Sequence, residues 1–257
     1  MRINHNIAAL NTHRQLGTAN NAQMKSMEKL SSGLRINRAG DDAAGLSVSE
    51  KMRSQIRGLD QASRNSQDGI SFLQTAEGAL NEVSAMATRL KELAVQKENG
   101  TYNEEDITNI DLEMTSLTEE INNIFDTTEF NTKNVFDTEV DITVTQDASV
   151  KMTIAAATLD LTKALTSEST VAEIDAAIDE INLQRATYGS QQNRLEHTIN
   201  NLNTTNENLT ASESRIRDVD MAKEMMEQTK NSILAQASQA MLAQSNQMPQ
   251  GVLQLLR

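Results

Sequence analysis

Apolar residues recur at alternating intervals of three and four along most of this 257-residue chain. That spacing aligns side chains on one face of an α-helix, and a sustained run of it indicates a heptad seam between helices. The most regular run has these positions: Val171, Ile174, Ile178, Ile181, Arg185, Tyr188, Gln192, Leu195, Ile199, Leu202, Asn206, Leu209, Glu213 and Ile216. An apolar stripe of this length must be buried against partner helices, which one chain has to supply from its other segments.

The polar interruptions of this seam at Arg185, Gln192 and Asn206 have two interpretations. A polar residue inside a seam fixes the register of the paired helices. Equally, it marks a place where the two helices separate and admit water. The sequence leaves both interpretations open.

Three further helices are predicted before this seam. Residues 1–34 carry a modest apolar stripe and residues 43–97 a long one. A third helix starts near Asn103, a good N-cap residue, and bears a strict heptad seam. That seam consists of Ile107, Ile110, Met114, Leu117, Ile121 and Ile124. At about 1.5 Å per residue the 43–97 helix spans roughly 80 Å, too long for one element of a compact globule.

Turn chemistry separates these helices. Ser, Gly and Asn residues fill the stretch over 31–40, and either Asp41 or Asp42 is suited to cap the next helix. The pair Asn99-Gly100 is a typical C-terminal cap for the 43–97 helix.

The apolar period changes to two between residues 130 and 154, which indicates β-strands. Val140, Ile142 and Val144 alternate with polar residues, and Val150, Met152 and Ile154 do the same. Because residues 146–149 between the two runs are polar or small, we predict a β-hairpin here.

The helices at the two ends of the chain have weaker apolar stripes than the helices of the middle. After the long seam, Val219, Met226, Ile233 and Ala240 continue at intervals of seven. We expect an antiparallel arrangement to place the first forty and last forty residues side by side. Each end is too weakly amphipathic for a stable two-helix coil, so we expect the ends to become ordered only in a polymer.

Composition narrows the class of protein. Aromatic residues make up 2% of the chain, Pro occurs once, and the apolar residues are Ala, Leu, Ile, Val and 12 Met, which favours helix seams over a globular core. A net charge of −13 argues against nucleic-acid binding. Cys is absent, which excludes disulfides and thiolate sites. No apolar run is long enough to insert into a membrane, and the start lacks the apolar core of a cleaved secretory signal.

Catalytic chemistry finds no support in the residues. His5, His13 and His197 are scattered without metal-ligand spacing, and Gly33, Gly40 and Gly45 do not form a phosphate loop. We therefore expect no enzyme activity, no metal and no cofactor.

Five stretches carry a resemblance to a known family. They are Leu30–Leu46, Ser66–Leu80, Arg89–Gln96, Ser212–Asp220 and Met241–Leu256. Together they closely resemble the terminal signatures of bacterial flagellins, in a short form that lacks the variable outer domains.

The resemblance implies a mainly α fold: an elongated antiparallel helical bundle or coiled coil with a small β-hairpin, and terminal helices that pair in a filament core. It divides the chain into a core helix with its connecting loop (1–42), two halves of a helical rod domain (43–129 and 169–216), the β-hairpin region (130–168) and a second core helix (217–257).

The function implied is that of a structural subunit, exported by the flagellar type III route, which polymerises into the extracellular flagellar filament for swimming motility. The implied partners are further copies of the chain, the flagellar cap, the hook–filament junction protein and an export chaperone. The alternative is that the chain is itself the junction protein. The candidate polymerisation residues are Ile3, Ile7, Leu10, Met24, Met27, Leu30, Leu34, Val219, Met226, Ile233, Met241 and Leu242.

Two further sets of residues follow from the resemblance. Arg89, Leu93 and Glu113 match the positions by which flagellins are recognised by host Toll-like receptor 5, and the spacing of four predicts that Arg89 and Leu93 share one helix face. The alternative explanation is that this face serves subunit packing. Leu253, Leu255 and Leu256 are the candidates for binding the export chaperone, or they pack in the filament core.

Overall fold

The structure, a computed structural model, describes residues 6–155 and 169–255, with side chains as far as Met248. This part of the chain is mainly helical, which confirms the predicted class. In chain order the elements are α1 (Ile7–Ser32), α2 (Ala43–Lys97), α3 (Glu104–Thr127), β1 (Glu129–Phe130), β2 (Lys133–Asn134), β3 (Val140–Thr143), β4 (Lys151–Ile154), α4 (Val171–Arg217) and α5 (Met221–Leu255).

The predicted helix starts are confirmed by their caps. The Asn103 side chain accepts a hydrogen bond of 2.8 Å from the backbone N–H of Asp106. Of the two candidates before α2, Asp42 is the capping residue, because its Oδ1 accepts from Gly45 N–H at 2.9 Å.

The predicted cap at the end of α2 is wrong in its geometry. Among the described residues, Gly33 is the one glycine with a positive φ, so Gly100 does not adopt the left-handed conformation of a helix cap. The chain instead leaves α2 through turns, in which Asn99 N–H donates to Gln96 O at 3.2 Å. The Asn99-Gly100 pair therefore marks the loop and not the helix terminus.

The predicted hairpin is confirmed as β3 and β4, which pair antiparallel with Val140 opposite Ile154 and Thr143 opposite Lys151. A second, smaller hairpin joins β1 to β2. Its strands have two residues each, too short to show a period of two in the sequence. Its turn places Asn131 and Thr132 at positive φ values of 51° and 62°.

The chain divides into two compact units. The central unit comprises Gln55–Asn208, and the terminal unit comprises Met1–Ser54 with Leu209–Arg257. The division falls inside α2 and inside α4, so both helices contribute to both units.

The central unit has a conventional apolar core built from α2, α3, α4 and the hairpin. One α4 residue in every seven is fully or almost fully buried, as the predicted seam requires: Ile174, Ile181, Tyr188, Leu195 and Leu202. The hairpin lies close against α2, because Asn65 donates to Thr143 O and a Cβ added at Gly69 would lie 2.1 Å from Ile142 Cδ1.

Both interpretations of the polar seam residues are correct, each at a different position: one residue fixes the register of the helices and another marks a place where they separate. Asn206 donates a hydrogen bond to Asp60 of α2, which links the two helices in one register. Gln192 instead donates to Glu196 on its own helix at 3.2 Å. Arg185 lies in a shallow groove that Gln74 and Glu77 of α2 also line, so the seam opens there.

The terminal unit contains the predicted antiparallel pairing of the chain ends. At one end of the helix pair, Asn6 Nδ2 donates to Ser245 O at 2.8 Å. At the other end, Leu34 and Asp218 form an isolated antiparallel bridge.

Candidate assembly surface

The paired faces of α1 and α5 follow heptads in which most residues are small or polar. The less exposed positions of α1 include Ala9, Thr12, Leu16, Ala19, Gln23, Ser26 and Leu30. Those of α5 include Glu224, Gln228, Asn231, Ala235, Ser238, Leu242 and Ser245. Both series alternate intervals of three and four, the spacing of a two-helix seam.

The buried members of this seam are Ala19, Ser26, Ala235 and Ser245. Small side chains let two helix backbones approach closely, but they remove little apolar area from water. The seam therefore gives the helix pair a defined fit and only a small hydrophobic stabilisation.

Apart from Leu16, Leu30 and Leu242, which lie in the seam, most large apolar side chains of the same two helices point away from it. Ile7, Leu10, Met24, Met27, Met226, Ile233 and Met241, all predicted for polymerisation, are exposed. Leu30, Leu34, Val219 and Leu242 are half-buried, and Ile3 lies outside the described residues. Met221, Met225, Leu234 and Met248 add to the exposed set, although the sequence reasoning did not select them.

One sequence expectation about α5 is wrong. The series Met226, Ile233 and Ala240 was expected to continue the seam of α4, yet all three are exposed. The reason is that α4 ends at Arg217 and α5 begins at Met221 as a separate helix. The break allows α5 to turn its small-residue face, and not this series, toward α1.

The connection between α1 and α2 is held against the end of α4. Gly33 caps α1 with a φ of 72°, a left-handed conformation that favours glycine, and its N–H donates to Lys29 O. Arg35 N–H then donates to Arg217 O at 2.6 Å. The Arg35 guanidinium donates twice to Ile216 O, at 3.2 and 2.5 Å. These bonds occupy carbonyl groups that the end of a helix leaves without an intrahelical partner.

Two adjacent acidic residues, Asp41 and Asp42, hold the loop between α1 and α2 in its conformation. Asp41 Oδ2 accepts from the backbone N–H groups of Arg38 and Asn37, at 3.0 and 3.2 Å, and these bonds hold the pKa of Asp41 below its ordinary value. A Cβ at Gly45 would lie 2.4 Å from Asp42 Oδ2 and 2.9 Å from Ile36 Cδ1, so a larger residue there would displace the cap. The most specific family motif, Leu30–Leu46, is thus a structural turn.

A buried polar cluster joins the start of α2 to the end of α4 in the terminal unit. Ser49 is fully buried and its hydroxyl donates to Glu213 Oε1 at 3.0 Å. Arg217, whose side chain is largely buried, pairs with Glu50 at 2.6 Å. Sequence reasoning missed this cluster; the one signal for it was the polar residue Glu213 at a heptad position.

The structure brings two of the three receptor candidates together. Arg89 of α2 pairs with Glu113 of α3 at 3.0 Å and with Glu92 at 3.0 Å. Hydrogen bonds to Glu92 and Glu113 raise the pKa of Arg89 above its ordinary value. The side chains of Arg89, Glu92 and Glu113 are each about half exposed.

The third receptor candidate, Leu93, does not share this accessible face. It is 1% exposed and belongs to the core with Leu90 and Ala94. A spacing of four residues leaves side chains about 40° apart around a helix. That angle is enough for Arg89 to lie at the edge of the core while Leu93 points into it. The prediction of a shared recognition face is therefore wrong for Leu93.

The described residues offer neither a metal-binding group of side chains nor a membrane-spanning helix. Across residues 6–155 and 169–255, His, Asp and Glu side chains nowhere gather in a group of three that would hold a metal ion. In the same part of the chain, no helix is both long and apolar enough to cross a membrane.

Comparison with known proteins covers both halves of the chain. Residues 3–141 match the family model described as the bacterial flagellin N-terminal helical region, and residues 171–256 match the bacterial flagellin C-terminal helical region. Together these two segments account for most of the chain.

Whole-chain relatives agree with these matches. A flagellin of Halalkalibacterium halodurans is 56% identical over 273 residues, and a flagellin of Bacillus subtilis is 53% identical over 304 residues. A flagellar filament 33 kDa core protein of Treponema phagedenis is 49% identical over 288 residues. Each alignment covers 100% of both chains. The crystal structure of Bacillus cereus flagellin is similar at 35% identity and a TM-score of 0.48, covering 54% of this chain and 88% of that one.

Proposed function

The chain belongs to the bacterial flagellin family, and from that premise we propose that the outward apolar faces of α1 and α5 join one copy to the next. The chain is a structural subunit of the extracellular flagellar filament, a polymer of many copies of itself. The names of its relatives, flagellins and a filament core protein, favour this function over that of a hook–filament junction protein.

The observation that carries the proposal is the size of the side chains that the α1–α5 pair buries. The buried side chains are small, and most of the large apolar ones are exposed. The buried positions of its seam are Ala and Ser residues, whereas Leu10, Met226 and Ile233 are each at least 60% exposed. Full burial of one such side chain contributes about 1.5–3 kcal/mol. A surface with many of them gains far more from contact with other copies than the Ala and Ser seam gains within one chain.

Charge supports the same surface. The whole chain has a net charge of −13, yet from Gln228 to Met248 the one charged residue of α5 is Lys230. Burying this stretch between copies therefore requires almost no desolvation of charge. A head-to-tail contact whose rotation does not close into a ring generates an open helical filament.

Seeded elongation tests the proposal. Deleting residues 1–40 or 218–257 is expected to abolish elongation on filament fragments, measured by light scattering, while circular dichroism still reports a helical central unit. The full-length chain on the same seeds is the control. Normal elongation after either deletion would overturn the proposed surface.

The receptor proposal rests on the exposed pair Arg89 and Glu113, with Leu93 acting from the core as a packing residue. A guanidinium that two carboxylates orient is a rigid donor for a receptor acceptor group. Arg89→Ala is expected to lower the response of a Toll-like receptor 5 reporter, whereas Arg64→Ala, an exposed arginine of the same helix, is expected to leave it unchanged. Equal responses from both variants would remove Arg89 from the proposal.

We further propose export by the type III route, delivery to the cap and contact with the junction protein, a proposal that family membership supports. Leu253, Leu255 and Leu256, whose side chains lie outside the described residues, are proposed to bind the export chaperone. Replacing all three with Ser is expected to abolish co-purification of the chaperone with the chain, whereas Leu183→Ser is not. Retained co-purification after the triple change would overturn this assignment.

A further inference from the structure

Methionines are distributed very unevenly between the two units. Met24, Met27, Met221, Met225, Met226, Met241 and Met248 are all in the terminal unit. Their exposed fractions lie between 47% and 67%. In the central unit, by contrast, Met114 and Met152 are 1% and 7% exposed.

The exposed methionines lie in groups on the helix surfaces. Met24 and Met27 are three residues apart on α1, and Met221 and Met225 are four apart on α5, so the members of each pair are neighbours on one face. Further along α5, Leu234, Met241 and Met248 are seven apart and fall on one stripe. The thioether groups therefore share with Leu and Ile side chains the surface proposed to bind other copies.

Thioethers differ from leucine and isoleucine side chains in one reaction. A sulfur lone pair attacks an oxygen of a peroxide, the O–O bond breaks, and the other oxygen leaves as water or an alcohol after taking a proton. Sulfur is oxidised to the sulfoxide and the peroxide is reduced. The product is a polar side chain with a strong hydrogen-bond acceptor in place of an apolar one.

We infer that the seven exposed methionines are a peroxide modification site that controls assembly, so that an oxidised subunit does not join the filament. This inference rests on the proposed function of the terminal unit. Burial of a sulfoxide oxygen without a donor is unfavourable, so oxidation opposes burial of this surface against another copy. Once a subunit has joined, burial of the same sulfur atoms protects them from peroxide.

The test uses the full-length chain and hydrogen peroxide. Peptide mass spectrometry is expected to find sulfoxide at the seven exposed methionines of the unassembled chain, at Met114 and Met152 at least tenfold less, and at the seven in filaments at least tenfold less. Seeded elongation of the oxidised chain is expected to fall at least tenfold, and treatment with methionine sulfoxide reductases and a thiol is expected to restore it. Undiminished elongation of a chain shown to be oxidised at the seven positions would overturn the inference.

Matched variants separate the inference from the proposed function. A chain with all seven methionines changed to Leu is expected to elongate equally before and after peroxide, whereas one with Met114→Leu and Met152→Leu stays sensitive. If the variant with seven substitutions does not elongate, the inference is tested by the oxidised wild type alone: reductase treatment either restores its elongation or contradicts the inference. A wild-type chain that fails to elongate even without peroxide contradicts the proposed function itself, while normal elongation with no peroxide effect contradicts the inference alone.

Discussion

The central and terminal units use the same kind of helix in opposite ways. In the central unit, large side chains such as Leu80, Ile121 and Ile181 are fully buried. In the α1–α5 helix pair of the terminal unit, the buried apolar residues with described side chains are Ala19 and Ala235, and most large apolar side chains face outward. Both units have heptad spacing, so the spacing alone does not say which residues a helix buries. What differs is the size of the residues on the face that the chain itself covers.

The two units therefore obtain their stability from different contacts. Hydrophobic stabilisation is proportional to apolar area removed from water. The central unit removes that area within one chain and is expected to be stable alone. The terminal unit leaves many large apolar side chains exposed, and its stability is expected to rise when other copies cover them.

The largest effect on folding is expected from Leu80→Ala, because Leu80 has no exposed surface. Loss of the side chain and the cavity it leaves should lower the free energy of unfolding by about 2–5 kcal/mol. Urea unfolding followed by circular dichroism measures it. The control is Leu183→Ala, since Leu183 is 69% exposed and a surface change of this kind costs at most about 0.5 kcal/mol. Equal effects of the two variants would contradict the description of the central core.

A pair of glycine substitutions compares the packing of the two units. At Gly69 of the central unit, a Cβ would lie 2.1 Å from Ile142 Cδ1, whereas at Gly17 of α1 nothing lies within 4 Å. Gly69→Ala is expected to lower the free energy of unfolding by about 1–3 kcal/mol through overpacking. Gly17→Ala is expected not to lower it, because Ala is the better helix former. Thermal unfolding of both variants checks this, and a Gly69→Ala chain as stable as the wild type would argue against close packing of the hairpin.

The smallest effect concerns the turn of the terminal unit and depends on pH. The pKa of Asp41 is lowered from its ordinary 3.8 in the folded chain, so its charged form stabilises the fold. That contribution is present above pH 3.8 and is lost as the pH falls through the lowered value. The difference in stability between the wild type and Asp41→Ala should therefore narrow as the pH drops below 3.8. A difference that stays constant through the acid range would show that the Asp41 carboxylate does not stabilise the turn.

Much of the central unit was predictable from the sequence, because there the stripe that looks apolar is the stripe that is buried. The α4 seam, the Asn103 cap and the β3–β4 hairpin follow from spacing and local chemistry. The β1–β2 hairpin was missed because its strands are too short to show a pattern.

The terminal unit was less predictable for a physical reason. Residues were assigned to the α5 seam by their hydrophobicity, and the chain buries Ala235 and Ser245 instead, because a second helix at close range favours small side chains. The prediction that Arg89 and Leu93 share one accessible face was wrong for a related reason. A helix face has edges, and whether a side chain is buried at the edge depends on where the neighbouring helix packs.

The most direct test of the outward surface is seeded elongation of the full-length chain with Met226→Ser and Ile233→Ser. Both side chains are at least 60% exposed in the single chain, so monomer stability measured by urea unfolding should change by no more than about 0.5 kcal/mol. The matched control is Leu183→Ser, an equally exposed apolar residue of the central unit. At least a tenfold loss of elongation rate is expected for the double variant, and little change is expected for the control. Wild-type elongation by the double variant would contradict the claim that these faces join the copies.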